Sequence, residues 1–248
     1  VATDSHLWSD SYDRQMENIF AVQDDIATSV ANALKITLEG TQAPKIQQRN
    51  PEAYNAYLQG RYFYDRRSKD VLEKAIGYYE QALRIDPNYA RAWAGLSRVH
   101  ARQADGGYVR VEESYSKAKK EAQKALDLDS NLADAYAAIS WIKRNYDWDW
   151  TAADVASKRS LELEPTSVDA LTNAALLDLT LCRFDEGIAH SRRAIQLDPL
   201  SATAYSRLAF LSYYAGRISE SEAAFRKVLE LNPQRPAGRY LLGLIYLE

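Results

Sequence analysis

The run DWDW, Asp147 to Trp150, places two carboxylates two residues apart between indole rings. These are residue types that a glycosidase or a metal site would use. A glycosidase, however, needs carboxyl groups facing each other across a pocket, and a zinc site needs three or four converging ligands. A turn between two helices accounts for the same four residues, with Trp148 and Trp150 packing and the acids facing water or capping the next helix. His6, His100 and His190 are scattered, with no HExxH and no pair at i and i+4, and His100 falls on a packing position of its helix. Cys182, the single cysteine, cannot form an internal disulfide and has no histidine partner in register, so a buried thiol is expected rather than a nucleophile. GRYLLG near the end and DGG at 105–107 lack the strand, helix and lysine of a phosphate loop. The expectation is therefore a protein that is not an enzyme, with no catalytic residues, no metal and no cofactor.

What does recur is the ending of a helix. ALRIDP (82–87), ALDLDS (125–130), SLELEP (160–165), AIQLDP (194–199) and VLELNP (228–233) share a small or apolar start, an acidic or polar residue and, in four of five, a closing proline. Taken from the last residue of each, the spacings are 43, 35, 34 and 34, and Pro51 lies 36 before the first. Proline donates no backbone hydrogen bond and disfavours helix in the residue before it, so each helix stops on schedule. Numbering each unit so that this proline is position 32 places Trp93, Tyr136, Leu171 and Tyr205 at position 4. Ser97, Ser140, Ala175 and Ala209 fall at position 8, and Ala118, Ala153 and Gly187 at position 20. Small residues at such places let two helices approach closely while large ones fill the gap beside them. Gly60, Ala75, Tyr79 and Ala82 fit a looser first unit. Extra residues around Arg66–Asp70 and Ala104–Glu113 belong in loops between helices, where insertions cost little.

A period near 34 residues with two helices per unit resembles the tetratricopeptide repeat, TPR. The resemblance implies an all-α fold, a right-handed superhelix of stacked helix pairs, spanning residues 51–248 as five units plus the first helix of a sixth. Residues 17–50 are expected as an amphipathic helix and linker, on the stripe Ile19, Val22, Ile26, Val30, Ala33 and Leu34. Residues 1–16 are expected as an extended arm or strand left from a preceding domain, and the chain as a segment of a longer protein. HLWSDSYDRQMENIFAVQDDIATSVANAL (6–34) resembles the segment that closes a TolB-like α/β domain and leads into TPRs in bacterial signalling proteins. Such proteins include class III adenylate or guanylate cyclases, winged-helix regulators and some Ser/Thr kinases. YLQGRYFYDRRS (57–68) and NYDWDWTAAD (145–154) are similar to stretches of the same arrays. This implies a docking or sensory module; no cyclase, kinase or DNA-reading motif is present to carry those activities over.

Bulk composition narrows the partner. With 31 basic against 34 acidic residues and a net charge of −3, bulk attraction to nucleic acid or anionic membrane is not indicated. No apolar run approaches the ~20 residues needed to cross a bilayer, and a cytoplasmic location is expected. The partner is then a protein or peptide, including the effector domain of the parent chain; the oligomeric state is open. In each unit, positions 2, 5, 6, 9, 12 and 13 of the first helix lie opposite the packing marks and should line a concave groove. That selects Arg61, Arg91, Arg98, Arg102, Trp141, Asn145, Asn173, Arg207, Phe210 and Tyr214 as the expected binding surface. An acidic segment would use the arginine end, with an apolar anchor toward Phe210 and Tyr214. Of the clamp by which some TPR domains grip a C-terminal carboxylate, Asn173 and Arg207 match. Ala137, Trp141 and Thr203 occupy the other places, so that clamp is not expected. A small molecule bound in the same groove, controlling an attached effector, is the alternative reading.

Overall fold

A computed structural model describes residues 50–64 and 68–233, and all regular structure among them is helical. The expected arm at 1–16, the helix and linker up to residue 49, the TolB-like resemblance at 6–34 and the half unit after residue 233 lie outside the described residues. Among the described residues ten α-helices form five antiparallel pairs: α1 (Pro51–Tyr64) with α2 (Lys69–Ile85), α3 (Ala90–Asp105) with α4 (Val111–Leu128), and α5 (Ala133–Ile142) with α6 (Trp150–Leu163). The last two pairs are α7 (Val168–Thr180) with α8 (Phe184–Leu197) and α9 (Ala202–Tyr214) with α10 (Ile218–Leu231). Each first helix packs on its partner and also on the first helix of the next pair. The odd-numbered helices therefore make a continuous inner layer, and the hydrophobic core is strung along the array as successive clusters.

The recurring acidic residue is a stop signal. Asp86, Asp129 and Asp198 leave the helix in extended conformation at its C-cap, and each Oδ1 accepts the backbone N–H two residues on, from Asn88, Asn131 and Leu200, at 3.0 Å. This turn competes with another helical residue and fixes where the chain reverses. Later first helices are started by Ser167 and Ser201, whose hydroxyls accept from Ala170 N and Ala204 N at 3.3 Å. The long turn expected over 104–113 is shorter: α3 runs on to Asp105 and α4 begins at Val111. Similarly, Lys69 and Asp70 form the first turn of α2.

DWDW is an interhelix turn in which Asp149 caps α6 by accepting Ala152 N at 3.0 Å, and Asp147 pairs with Lys119 and Lys143. A π-helical turn, Lys143–Asp147, extends α5 into it. The indoles do not pack as expected: Trp148 is 73% and Trp150 42% exposed, tilted against each other at 6.4 Å. Cys182 is likewise exposed rather than buried. The reason is shared, because Trp148 and Cys182 occupy the left-handed turn position, φ 55° and 57°, that Gly216 takes one unit later at φ 73°. A side chain there costs about 1 kcal/mol against glycine and points away from the helices. His100 is buried as expected, with Nδ1 2.8 Å from Glu121 Oε2.

The helix crossings rest on small residues. Ser97 Oγ donates to Ala118 O at 2.7 Å, Ser140 Oγ to Ala153 O at 2.9 Å and Ser221 Oγ to Ala209 O at 2.8 Å, each from one helix of a pair to the other. At the start of the array the Tyr79 ring is wedged between two backbones: a Cβ on Gly60 would stand 2.7 Å from it and one on Gly95 2.6 Å. Gly77, in the middle of α2, has nothing within 4 Å of its missing Cβ. The same substitution should therefore have opposite signs at two helical sites. Gly77→Ala should stabilise by about 0.5–1 kcal/mol, and Gly95→Ala should destabilise by about 1–3 kcal/mol through overpacking against Tyr79. Urea denaturation of the two variants checks this; shifts of the same sign would show that Tyr79 has room to move.

Candidate functional site

Arg91, Arg98 and Arg102 follow one another at intervals of seven and four along α3, which keeps them on a single helix face. Because first helices stack on first helices, that face opens onto the concave side of the array. There it meets Arg61 from α1 and Arg207 from α9 in a groove of about 1070 Å³. The same groove receives carboxylates from four later points: Asp134 in α5, Glu164 at the end of α6, Asp169 in the first turn of α7 and Asp198 at the end of α8. Five arginines against four carboxylates leave it basic only on the α1–α3 side.

Two ion pairs cross it. Arg91 Nη2 donates to Glu164 Oε1 at 3.0 Å, and Arg98 Nη1 to Asp169 Oδ2 at 2.9 Å. The second is the more enclosed, with the Arg98 side chain only 14% exposed and Asp169 at 36%. Arg98 holds the Asp169 carboxyl below the usual carboxylate range; burial pushes the other way, and Arg61 and Arg102 add to the depression. Burial alone would lower the Arg98 guanidinium, but Asp169 and then Tyr64 and Asp134 raise it well above its ordinary value.

Aromatic rings support the arginines from beneath. The guanidinium carbons of Arg98 and Arg102 lie 4.7 and 4.9 Å from the centre of the Tyr64 ring, and those of Arg102 and Arg144 lie 5.1 and 5.3 Å from Trp141. Rings and cations thus alternate across the first three units. Arg102 Nη2 donates to Tyr64 Oη at 2.8 Å, while its buried Nε has no hydrogen-bond partner among the described residues. Arg61 makes no hydrogen bond or ion pair among the described residues.

Of the ten residues selected from the sequence, Arg61, Arg91, Arg98, Arg102, Asn173 and Arg207 line this groove, and Trp141 borders a crevice beside it with Tyr64, Arg98 and Asn173. Asn145 stands next to them, its Nδ2 3.4 Å from Asp105 Oδ2, an oxygen that also accepts Trp141 Nε1–H at 2.8 Å. Phe210 and Tyr214 are not brought to the lining. Phe210 meets Phe225 of α10 edge-on at 5.5 Å, and Tyr214 stacks on Phe184 of α8 at 6.5 Å. The far end of the groove is mixed rather than apolar, with Asp198, Ser201, Thr203 and Arg207 beside Leu200 and Ala202. Sequence reasoning misses Asp134 and Asp169, although both sit at position 2 of their units, the position that selects Arg91. Glu164 sits at a helix end, where register along the first helices does not reach.

The depressed Asp169 carboxyl has a pH consequence. The unfolded chain takes up a proton there near the ordinary value, about 3.9, and the folded chain only at lower pH. Stability contributed by the pair is therefore complete above that ordinary value and is lost as pH falls through the depressed folded value. Asp169→Asn should flatten part of the fall in Tm below about pH 4; a fall as steep as that of the unaltered protein would remove Asp169 as a source of acid sensitivity.

Comparison with known proteins bears on the fold. Profiles of the tetratricopeptide repeat match residues 202–235 and 68–89. The chain is 30% identical over 153 residues, 57% of its length, to a Rhizobium meliloti (strain 1021) protein named "Putative adenylate cyclase 3". It is 29% identical over 148 residues, 56% of its length, to Superkiller protein 3 of Schizosaccharomyces pombe (strain 972). It spans 26% and 10% of those relatives' own lengths. Among solved structures, a thermophilic TPR protein of Thermus thermophilus superposes with a TM-score of 0.60 at 19% identity, over 79% of this chain and all of that one. The type IV pilus biogenesis factor PilW superposes with a TM-score of 0.56 at 19% identity, over 78% and 84%. These likenesses carry the fold: repeat profiles match two stretches, and the described residues fold as the α-solenoid of tetratricopeptide repeats.

Proposed function

We propose that this array is a non-catalytic interaction module of a bacterial signalling protein, and that its concave groove binds an acidic peptide or protein segment. The observation that carries the reading is the arginine face of α1 and α3, with Arg61 and Arg102 holding unused donors and Tyr64 and Trp141 holding the guanidinium groups in place. Such pre-ordering lowers the entropy lost when a carboxylate is bound and favours planar, two-donor contacts. The signalling setting is supported by the adenylate-cyclase name of the Rhizobium meliloti relative and by the sequence resemblance at residues 6–34. On this reading the segment bound belongs to a separate cytoplasmic protein or to the parent chain's own effector domain.

An array of twelve-residue peptides of graded charge tests the groove. Acidic peptides should be retained by the unaltered chain, less so as salt rises, and retention should fall at least about a hundredfold when Arg61 and Arg102 are both replaced by Gln, on the scale of two charge-assisted hydrogen bonds. Equal retention by the double variant would refute the assignment.

The volume of the groove, about 1070 Å³, also sits at the upper end of small-molecule sites, which favours the second reading, a ligand-sensing domain that controls an attached effector. A thermal-shift screen of small dicarboxylates and phosphate esters should then raise Tm by several degrees for at least one compound; no shift across the set would retire that reading.

A further inference from the structure

Asp169 occupies an unusual place for a residue of the fourth unit. It comes from the first turn of α7, yet its carboxylate lies against Arg98 of α3, 71 residues earlier, in the groove that Arg61 and Arg102 also line. The three arginines belong to the first two units, and the third unit is bypassed. One hydrogen bond at 2.9 Å is all that the carboxylate takes from them. Arg61 stays without an ion pair among the described residues, and the buried Nε of Arg102 stays unpartnered among them. Guanidinium groups can each offer a carboxylate two parallel donors, so the cluster is held by a ligand that uses little of what it offers. Arg91 with Glu164 repeats the pattern next to it, joining the same α3 to the end of α6.

We propose that Asp169 is a built-in competitor: it fills an anion site made by Arg61, Arg98 and Arg102, and a side-chain carboxylate of an acidic partner segment takes its place. This rests on the groove reading above and adds an order of events to it. A partner's glutamate or aspartate approaches from the open side of the groove, where Arg61 is exposed, and takes the free donors of Arg61 and Arg102. It then exchanges with Asp169 on Arg98. No bond is made or broken beyond these hydrogen bonds, and the released Asp169 turns to water on the partly exposed side it already has. The exchange loosens the contact between the second and fourth units, so occupancy is coupled to the opening of the concave face. Affinity is then set partly by the protein's own carboxylate, in the way that a minor binding-competent state reduces apparent affinity.

The test uses the full 248-residue chain and a labelled, C-terminally amidated hexaglutamate peptide, with hexaglutamine as control, followed by fluorescence anisotropy at low salt. Asp169→Asn should tighten hexaglutamate binding by about tenfold, the scale of one charge-assisted hydrogen bond. Asp169→Glu, which keeps the competing charge and guards against a folding defect in the first variant, should bind as the unaltered chain does. Asp134→Asn removes a groove carboxylate that makes no hydrogen bond to Arg98 and should change affinity less than twofold. Equal tightening by Asp134→Asn and Asp169→Asn would overturn the competitor, because bulk charge would then explain both. Unchanged or weaker binding by a folded Asp169→Asn, with Arg61→Gln and Arg102→Gln still weakening it, would also overturn the competitor while leaving the groove in place. Indifference of hexaglutamate to all the arginine variants would instead remove the groove reading itself.

Discussion

Close approach of two helix backbones at each crossing is the constraint on which the rest of this protein depends. A solenoid has no central core to average out local errors, so each pair of helices must meet its packing requirement with its immediate neighbours. Tyr79 shows how tight that requirement is, its ring held against Gly60 on one side and Gly95 on the other. Serine hydroxyls reinforce the crossings in the second, third and fifth units by donating to a carbonyl of the partner helix. A buried hydroxyl without an acceptor costs about 1–3 kcal/mol, so these serines favour one depth and rotation of packing over its neighbours.

Once the crossings use the small residues, the remaining faces of the first helices are released from packing. They form the inner layer and carry charge instead: arginines mainly on α1 and α3, Asp134 and Asp169 on α5 and α7, with Glu164 joining from the end of α6. This polarity along the array bends opposite charges toward each other across the groove, and Arg91–Glu164 and Arg98–Asp169 are the result. The aromatic residues that border the groove serve the arginines. Tyr64 and Trp141 spread beneath guanidinium groups and limit their rotamers, which is why a set of long cations can form one ordered surface.

The turns between helices of a pair follow a different rule. Among the described residues each such turn places a residue in the left-handed region, glycine at Gly107 and Gly216 but Trp148 and Cys182 in the third and fourth units. At both places the side chain stands exposed, an indole at Trp148 and a thiol at Cys182. Hydrophobic type alone would place both inside; the backbone conformation overrides it.

By itself the sequence determined the paired helices of the described array and where most second helices stop, because these depend on contacts within about one repeat: apolar spacing, small residues at crossings, and Asp or Pro where the chain turns. It also placed Arg61, Arg91, Arg98, Arg102, Asn173 and Arg207 on a common concave face, since helical register is a local property. Only the tertiary structure decided which charges meet. Arg98 and Asp169 are 71 residues apart and Arg91 and Glu164 are 73, about two repeats in each case. A contact across two repeats depends on the curvature summed over every intervening crossing, a quantity that no single unit's residues encode. The same summation left Phe210 and Tyr214 packed against α10 and α8 instead of lining the groove, because a residue's face on its own helix does not say which neighbour the superhelix will bring against it.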